Sequence, residues 1–418
     1  METTLVTTEN VPEAVLLSIL QQHLGDPNAQ LKKATVSPFS NSGVSGNNSF
    51  YRADIEWATT NPMLPAGSAN WLIKRWIPGG LNLAELHWSR PAEALAWQSG
   101  ILRPESLPTG VKTPILGSVI DPGGELAWVA MQNVSKELMQ YDRAVPLPSE
   151  QLVSRVKVIL SHLARFHAIW EQPARQNTFD NMDWLLPYEK YLRRRSDFYA
   201  AVLSMDAGGE SGQTAPVSQE DARNLQAFLE WLEPAERSIL KELLVDRQRL
   251  VDRFAGLPCT LLHGDLDDRN IGLSWPSSGE SVLVLIDWER MSRGPASLDV
   301  AKMMILVPML CLPGQPIPEA CLSDELLDFY YENYTRAGGK QLDYATWHRS
   351  YDLALIAESV WPFPWALGNL LRTLRGEVPL PEIPGLPEAV VHLQASSSLE
   401  RMRRMVDLVM GAINRCLL

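Results

Sequence analysis

The chain has 418 residues, 45% hydrophobic and 21% charged, the balance of a folded globular protein with core enough for two or three domains. Its formal charge is −12 and no basic stripe interrupts it, which argues against nucleic acid as a partner and tilts the expected ligand toward a cationic one. Four scattered cysteines (Cys259, Cys311, Cys321, Cys416) lack metal-ligand spacing and read as reduced thiols of a cytoplasmic protein; no leader is apparent, and the longest apolar run, 303–312, is too short to span a bilayer.

Residues 11–24 predict a short amphipathic helix, ended by Gly25-Asp26-Pro27. A hairpin follows, with strands at 34–40 and 49–57 and turn chemistry between them, Asn41-Ser42-Gly43-Val44-Ser45-Gly46-Asn47-Asn48. Most such turns merely reverse the chain; some present backbone N–H groups to phosphate oxygens. An apolar strand, Asn70 to Trp76, carries Lys74, with Arg75 facing the other way by alternation. A lysine there is either solvated on an edge strand or held by an acid. Residues 89–102 predict a helix with Pro91 near its start and Glu93 in its first turn, Glu93 being the candidate partner of Lys74 and Glu85 a weaker one. Strands at 113–120 and 125–134 flank the turn Asp121-Pro122-Gly123-Gly124.

A strong helix is expected over 151–170, where Leu152, Val156, Ile159, Leu163 and Phe166 recur at helical spacing. From 171 to 257 the pattern is helical again, with one helix over 184–203 and a longer one opened by Ser218-Gln219-Glu220-Asp221 and running to about Phe254. The Gly/Ser-rich stretch 206–216 separates them. Asp180, Asp183, Glu189, Glu230 and Glu233 are acids that a cationic ligand would find here, though each also suits a solvated face.

The most informative stretch is TLLHGDLDDRNIGLSWPSSGESVLVLIDWE, 260–289. A short apolar run enters His263-Gly264-Asp265. Asn270 follows, then Ile271-Gly272-Leu273, a Pro/Ser/Gly turn, and a second apolar run ending in Asp287-Trp288-Glu289. Short strands joined by a turn would bring Asp265, Asn270 and Asp287 together at one end. A carboxylate can orient a hydroxyl and accept its proton; an amide oxygen and a second carboxylate are hard ligands suited to Mg²⁺. That combination is the chemistry of phosphoryl transfer from ATP. Beyond it, Asp299 is expected to open a helix, further helices are expected at 326–337 and 346–361, and Trp361, Phe363 and Trp365 form an aromatic cluster best read as core. Met402, Met405, Val406, Val409 and Ile413 give the last helix an apolar face.

HGDLDDRN followed by LIDWE resembles the catalytic signature of the aminoglycoside phosphotransferase and choline kinase family, which has the protein-kinase-like fold. Leu163-Ala164-Arg165-Phe166-His167-Ala168 and Gly294-Pro295 with Asp299-Val300-Ala301 resemble further segments of that family. The resemblance implies an α+β, bilobal protein-kinase-like fold: a nucleotide-binding lobe, 1–132, with a five-stranded antiparallel sheet and one key helix, and a mainly helical catalytic and substrate-binding lobe, 133–418, with a helical insertion at about 171–257. It implies an ATP- and Mg²⁺-dependent small-molecule kinase that moves the γ-phosphoryl group to a hydroxyl, with an aminoglycoside-, macrolide- or choline-like acceptor. Asp265 would be the catalytic base, and Asn270 and Asp287 the metal ligands. Lys74, paired with Glu93, would hold the phosphates under a loop containing Gly43, Ser45, Gly46 and Asn47. Met131, Gln132 and Val134 would be the hinge against adenine; the family often has an acid where Gln132 stands, so only a backbone contact is implied there. His263, His167 and Asp299 would support the catalytic loop, and the role of Glu289 stays open. The competing class is a kinase-like nucleotide-binding module without transfer activity.

Overall fold

The computed structural model describes residues 11–39, 48–77, 90–124, 126–139, 148–205, 219–246, 248–277, 279–310, 317–321, 323–379 and 388–417. The chain divides into two compact units. The first gathers Met1–Gly80, His87–Tyr141 and Arg269–Met291; the second gathers Leu81–Leu86, Asp142–Asp268 and Ser292–Leu418.

The first unit opens with helix α1 (Glu13–Leu24), whose Val15, Leu16, Ile19 and Leu20 are buried. Strands β1 (Gln30–Pro38), β2 (Ser49–Ala58) and β3 (Gly67–Trp76) follow, then the short helix α2 (Ala92–Gln98), the two-residue β4 (Val111–Lys112), β5 (Ile115–Ile120) and β6 (Ala127–Gln132). Five of these strands form one antiparallel sheet in the order β1-β2-β3-β6-β5. β1 starts four residues before the expected position, because Leu31 and Ala34 are core residues as well as Val36. Tyr51, Ile55, Trp71 and Ile73 join α1 in one apolar cluster on one sheet face. Each such side chain, fully buried, contributes roughly 1.5–3 kcal/mol. β5 is one of the two edge strands, and Gln22 of α1 caps it: its Nε2 donates to Ser118 O (2.9 Å) and its Oε1 accepts from Ser118 N (3.2 Å).

The second unit is mainly helical. Helix α3 (Ser149–Trp170) buries Leu152, Val156, Ile159, Leu163 and Phe166, the residues whose spacing predicts it. An unexpected short helix α4 (Pro173–Phe179) precedes α5 (Tyr188–Met205). The single long helix expected from 218 to about 254 is instead three: α6 (Gln219–Trp231), α7 (Pro234–Val245) and α8 (Gln248–Phe254). Pro234 has no N–H to continue the preceding helix and is suited only to begin a new one. Glu233 and Glu236 close a capping box at that start, and Asp246 leaves helical geometry at the other end. Strand β7 (Thr260–Leu262) enters the motif. The chain then returns to the first unit for β8 (Ile271–Ser274) and β9 (Val282–Leu285), an antiparallel hairpin that β4 joins in parallel. β10 (Ser292–Gly294) pairs with β7 in the second unit.

Helices α9 (Ser297–Leu310), α10 (Glu325–Arg336), α11 (Tyr344–Ser359), α12 (Pro362–Leu374) and α13 (Glu388–Cys416) complete the chain. Their common core takes in Trp361, Phe363, Met402, Met405, Val406, Val409 and Ile413, so two of the three clustered aromatics pack as expected while Trp365 is exposed. Among the described residues Cys259, Cys321 and Cys416 are in no disulfide, and no helix is long and apolar enough to cross a membrane. One unit with a five-stranded antiparallel sheet and another that is mainly helical make the α+β, kinase-like architecture that the motifs imply.

Candidate active site

In the first unit Lys74 is the organising residue. Strand alternation sends Ile73 into the apolar core and Lys74 to the opposite face. There its ammonium is 4% exposed and meets three carboxylates: Glu93 Oε2 at 3.2 Å, Asp287 Oδ1 at 2.7 Å and Glu289 Oε1 at 2.6 Å. Asn48 Nδ2 donates to the same Glu289 oxygen (2.6 Å), and the Phe50 ring lies 6.0 Å from the ammonium. Burial by itself would push the Lys74 pKa down; Asp287, Glu289 and Glu93 outweigh it and hold the amine well above its ordinary value. Burial pushes the Glu289 carboxyl up to about 7, with the negative charge of Asp287 adding to the rise and Lys74 opposing it. A single ammonium among three acids leaves the cluster with excess negative charge.

The β8–β9 hairpin fixes the other two motif residues of this unit. Ile271 pairs with Leu285, and Ile286 N donates to Asn270 O (3.0 Å), so Asn270 and Asp287 stand beside each other at the open end of the ladder. Gly272 is required on this hairpin: a Cβ there would lie 2.0 Å from Glu137 O. Asp287 is the one described non-glycine residue with positive φ (63°), a conformation that L-residues adopt only at a cost. The Asn270 amide, the Asp287 carboxylate and the surplus charge suit a small hard dication that completes its shell with other oxygens. Among the described residues no three His, Cys, Asp or Glu side chains enclose a metal by themselves.

Of the expected hinge, Met131 and Val134 are buried and Gln132 is exposed. The Gln132 N–H already donates to Pro114 O (2.9 Å). Gly43, Ser45, Gly46 and Asn47 lie outside the described residues, as does Glu85.

Asp265 belongs to the second unit, on the loop after β7. That loop hangs on Asp299 of α9, which is 1% exposed. Asp299 Oδ2 accepts from His263 N (2.8 Å), its Oδ1 accepts from Gly264 N (3.0 Å), and His167 Nε2 lies 3.2 Å from Oδ2. His167 is braced in turn by the Tyr330 hydroxyl, 2.7 Å from Nδ1. Burial alone would raise the Asp299 pKa; the hydrogen bond and charge of His167 hold it below the ordinary value. Gly264 has φ +78°, which explains the glycine of His-Gly-Asp, and Asp265 N donates to His263 Nδ1 (3.2 Å). His263, His167 and Asp299 therefore make the loop contacts that the resemblance implies.

Two residues that sequence reasoning missed accompany Asp265. Lys302 Nζ is 3.8 Å from Asp265 Oδ1 and 3.9 Å from Glu358 Oε2. They come from α9 and α11, and no local motif links them; Lys302 follows Asp299 by three positions, one helical turn, which is the only signal available. Of the acids singled out from the insertion, Glu189 is half-buried, while Asp180, Asp183, Glu230 and Glu233 are exposed, Glu233 caps α7, and Glu230 pairs with Arg375.

A family model described as the phosphotransferase enzyme family (APH) matches residues 125–353, more than half of the chain. A search of curated proteins finds no match. Among solved structures, the chain is similar to an aminoglycoside phosphotransferase from Alicyclobacillus acidocaldarius (11% identity, 98% of this chain and 97% of that one, TM-score 0.45). It is also similar to an ethanolamine kinase from Plasmodium vivax (12%, 90% and 83%, TM-score 0.44) and to choline kinase LicA from Streptococcus pneumoniae (12%, 90% and 93%, TM-score 0.38). At these scores the three likenesses add no argument of their own, and membership rests on the family model together with the motif it spans. The chain belongs to the phosphotransferase enzyme family and is an enzyme that moves a phosphoryl group onto a small molecule.

Proposed function

We propose that the donor is ATP, that Mg²⁺ is the metal, and that Asp265 is the catalytic base toward a hydroxyl of a small-molecule acceptor. The observation that carries this reading is the buried Lys74 ammonium, held by Glu93 on one side and Asp287 on the other. An amine fixed in this way binds phosphate oxygens as a positioned point charge. Asn270 and Asp287 hold the metal, which when bound neutralises charge on the phosphates. Val134 supplies the backbone contact to adenine in preference to Gln132, whose N–H is already engaged with Pro114. Asp265 accepts the proton of the acceptor hydroxyl as its oxygen bonds to the γ-phosphorus, and the bond from that phosphorus to the β–γ bridging oxygen breaks to release ADP.

The division near residue 132 is kept as a functional one: nucleotide contacts up to Val134 and in the β8–β9 hairpin, acceptor contacts in the rest of the chain after it. The experiment is calorimetric titration with ATP, with and without Mg²⁺, followed by ADP release in the presence of acceptors. Asp265→Asn is expected to bind MgATP as the parent does and to release ADP at background rate. Asp287→Ala is expected to lose the Mg²⁺ dependence of binding. Normal turnover by Asp265→Asn, or unchanged metal dependence in Asp287→Ala, overturns the corresponding role.

A further inference from the structure

The turn of α9 that carries Asp299 carries a second residue directed at the same loop. Asp299 fixes the loop through its backbone, accepting from His263 N and Gly264 N. Those bonds set where Asp265 starts and leave its side-chain torsions open. Lys302, three positions on in the same helix, places its ammonium 3.8 Å from Asp265 Oδ1. The contact is sheltered, the Lys302 and Asp265 side chains being 19% and 17% exposed. Lys302 is anchored from behind as well. Its ammonium lies 3.9 Å from Oε2 of Glu358, a residue of α11 that is 4% exposed. Glu358 is anchored in turn by the Tyr188 hydroxyl of α5, which donates to its Oε1. Three helices thus meet at one ammonium that also faces the proposed base.

We infer that Lys302 is a positioning residue for the reaction: its ammonium, steadied by Glu358, holds the Asp265 carboxylate in the orientation in which it takes the acceptor's proton. The inference rests on the assignment of Asp265 as the base and adds the residue that aims it. A carboxylate on a short side chain rotates between staggered wells. A proton acceptor must keep to one of them, because transfer needs hydrogen-bond reach to the hydroxyl. A cation at ion-pair distance from one oxygen restricts that rotation. At 3.8 Å it does so without donating a hydrogen bond into the lone pair that must receive the proton. Asp265 has a further interaction besides, so deletion of Lys302 is expected to loosen the carboxylate and not to release it. The competing role is purely structural. Lys302 lies against the buried Glu358, and an ion pair between α9 and α11 can hold the two helices together with no bearing on transfer.

The test measures ADP release from MgATP by the full chain, with water alone and with kanamycin, choline, ethanolamine or glycerol added, and continues with the fastest of these. Rates are taken per MgATP site counted by calorimetry, so a loss of folded protein lowers the number of sites and not the rate. Lys302→Met is expected to lower kcat about tenfold to a hundredfold with KM for MgATP unchanged, the scale of a misplaced catalytic group. Lys302→Arg keeps a cation at that place and is expected to recover most of the rate. Adding Lys302→Met to Asp265→Asn is expected to cost nothing further, since the residue to be aimed is already disabled. Should Lys302→Met not fold, Lys302→Met with Glu358→Gln removes both charges of the inner pair and replaces it in each comparison. Crystal structures of parent and variant read the same contact without turnover. The Asp265 carboxylate is expected in one orientation facing Lys302 in the parent, and displaced or divided between orientations in the variant. Parent rate in Lys302→Met, independent losses in the double variant, or an unmoved carboxylate overturns the positioning role while the kinase reading stands. Normal turnover by Asp265→Asn removes the base itself and this inference with it.

Discussion

Two polar clusters, one in each unit, hold their charges differently. Around Lys74 the contacts are short, 2.6 to 3.2 Å, and three acids surround one base, so the geometry is finished while the charge is not. Around Lys302 the separations are longer, 3.8 Å to Asp265 and 3.9 Å to Glu358, and Glu358 Oε2 and Arg195 Nη1 are buried without a hydrogen bond. A cluster complete in geometry but short of positive charge is prepared for one invariant charged partner. On the function proposed above, the nucleotide and its metal go to the first cluster and Asp265 serves the acceptor.

The comparison is broken most directly at Asp265, the proposed base. Asp265→Asn should lower the rate of transfer by about 10²–10⁴-fold, the range for loss of a positioned proton acceptor, with MgATP affinity retained in calorimetry. Next comes Lys74→Met, which leaves three carboxylates with no compensating charge. Breaking a buried pair in this way costs about 3–5 kcal/mol, so urea unfolding of this variant should show a large loss, and nucleotide affinity should fall as well. Asp299→Ala strips the acceptor from His263 N and Gly264 N at once. Leaving such buried donors unsatisfied costs about 1–3 kcal/mol each, and turnover should drop with stability while nucleotide binding in the first unit persists.

The smallest effect lies outside both clusters and sharpens the pH reading. Burial, aided by the charge of Arg165, lowers the His162 pKa from 6.5 to about 4. A depressed histidine is neutral in the fold and charged in the unfolded chain below 6.5. Its contribution to stability is therefore complete above pH 6.5 and is lost as the pH falls toward 4. Denaturant titrations of parent and His162→Gln across that window should differ by on the order of 1–2 kcal/mol, with the variant the flatter.

The sequence made the chemistry legible wherever the chain itself keeps the residues close. Lys74 announced itself by strand alternation, and Asn270 and Asp287 by the hairpin that sets them side by side. His-Gly-Asp carried its own glycine at a positive φ. The sheet was readable because strands alternate and turns are marked by Asp, Asn and Gly. The helical insertion was readable as helix and misread in its breaks: Pro234 divides it, and periodicity runs on across a proline that a capping box turns into a new start. The third acid at Lys74, Glu289, is two residues from Asp287, and only its distance to the amine reveals it. Arg195, Lys302 and Glu358 were invisible for a different reason. They are separated by more than fifty residues at each step, none belongs to a motif, and each alone looks like any helical charge.

One backbone angle carries a consequence for the residue it holds. Asp287 sits in the left-handed region, where a side chain beyond glycine is held against its preference at a cost of roughly 1–3 kcal/mol. Asp287→Gly should therefore melt at a higher temperature than Asp287→Ala, both variants lacking the carboxylate that pairs with Lys74, a result that differential scanning calorimetry would check and an equal or lower midpoint would refute. The fold thus keeps a less comfortable residue at this position for the sake of the carboxylate it carries.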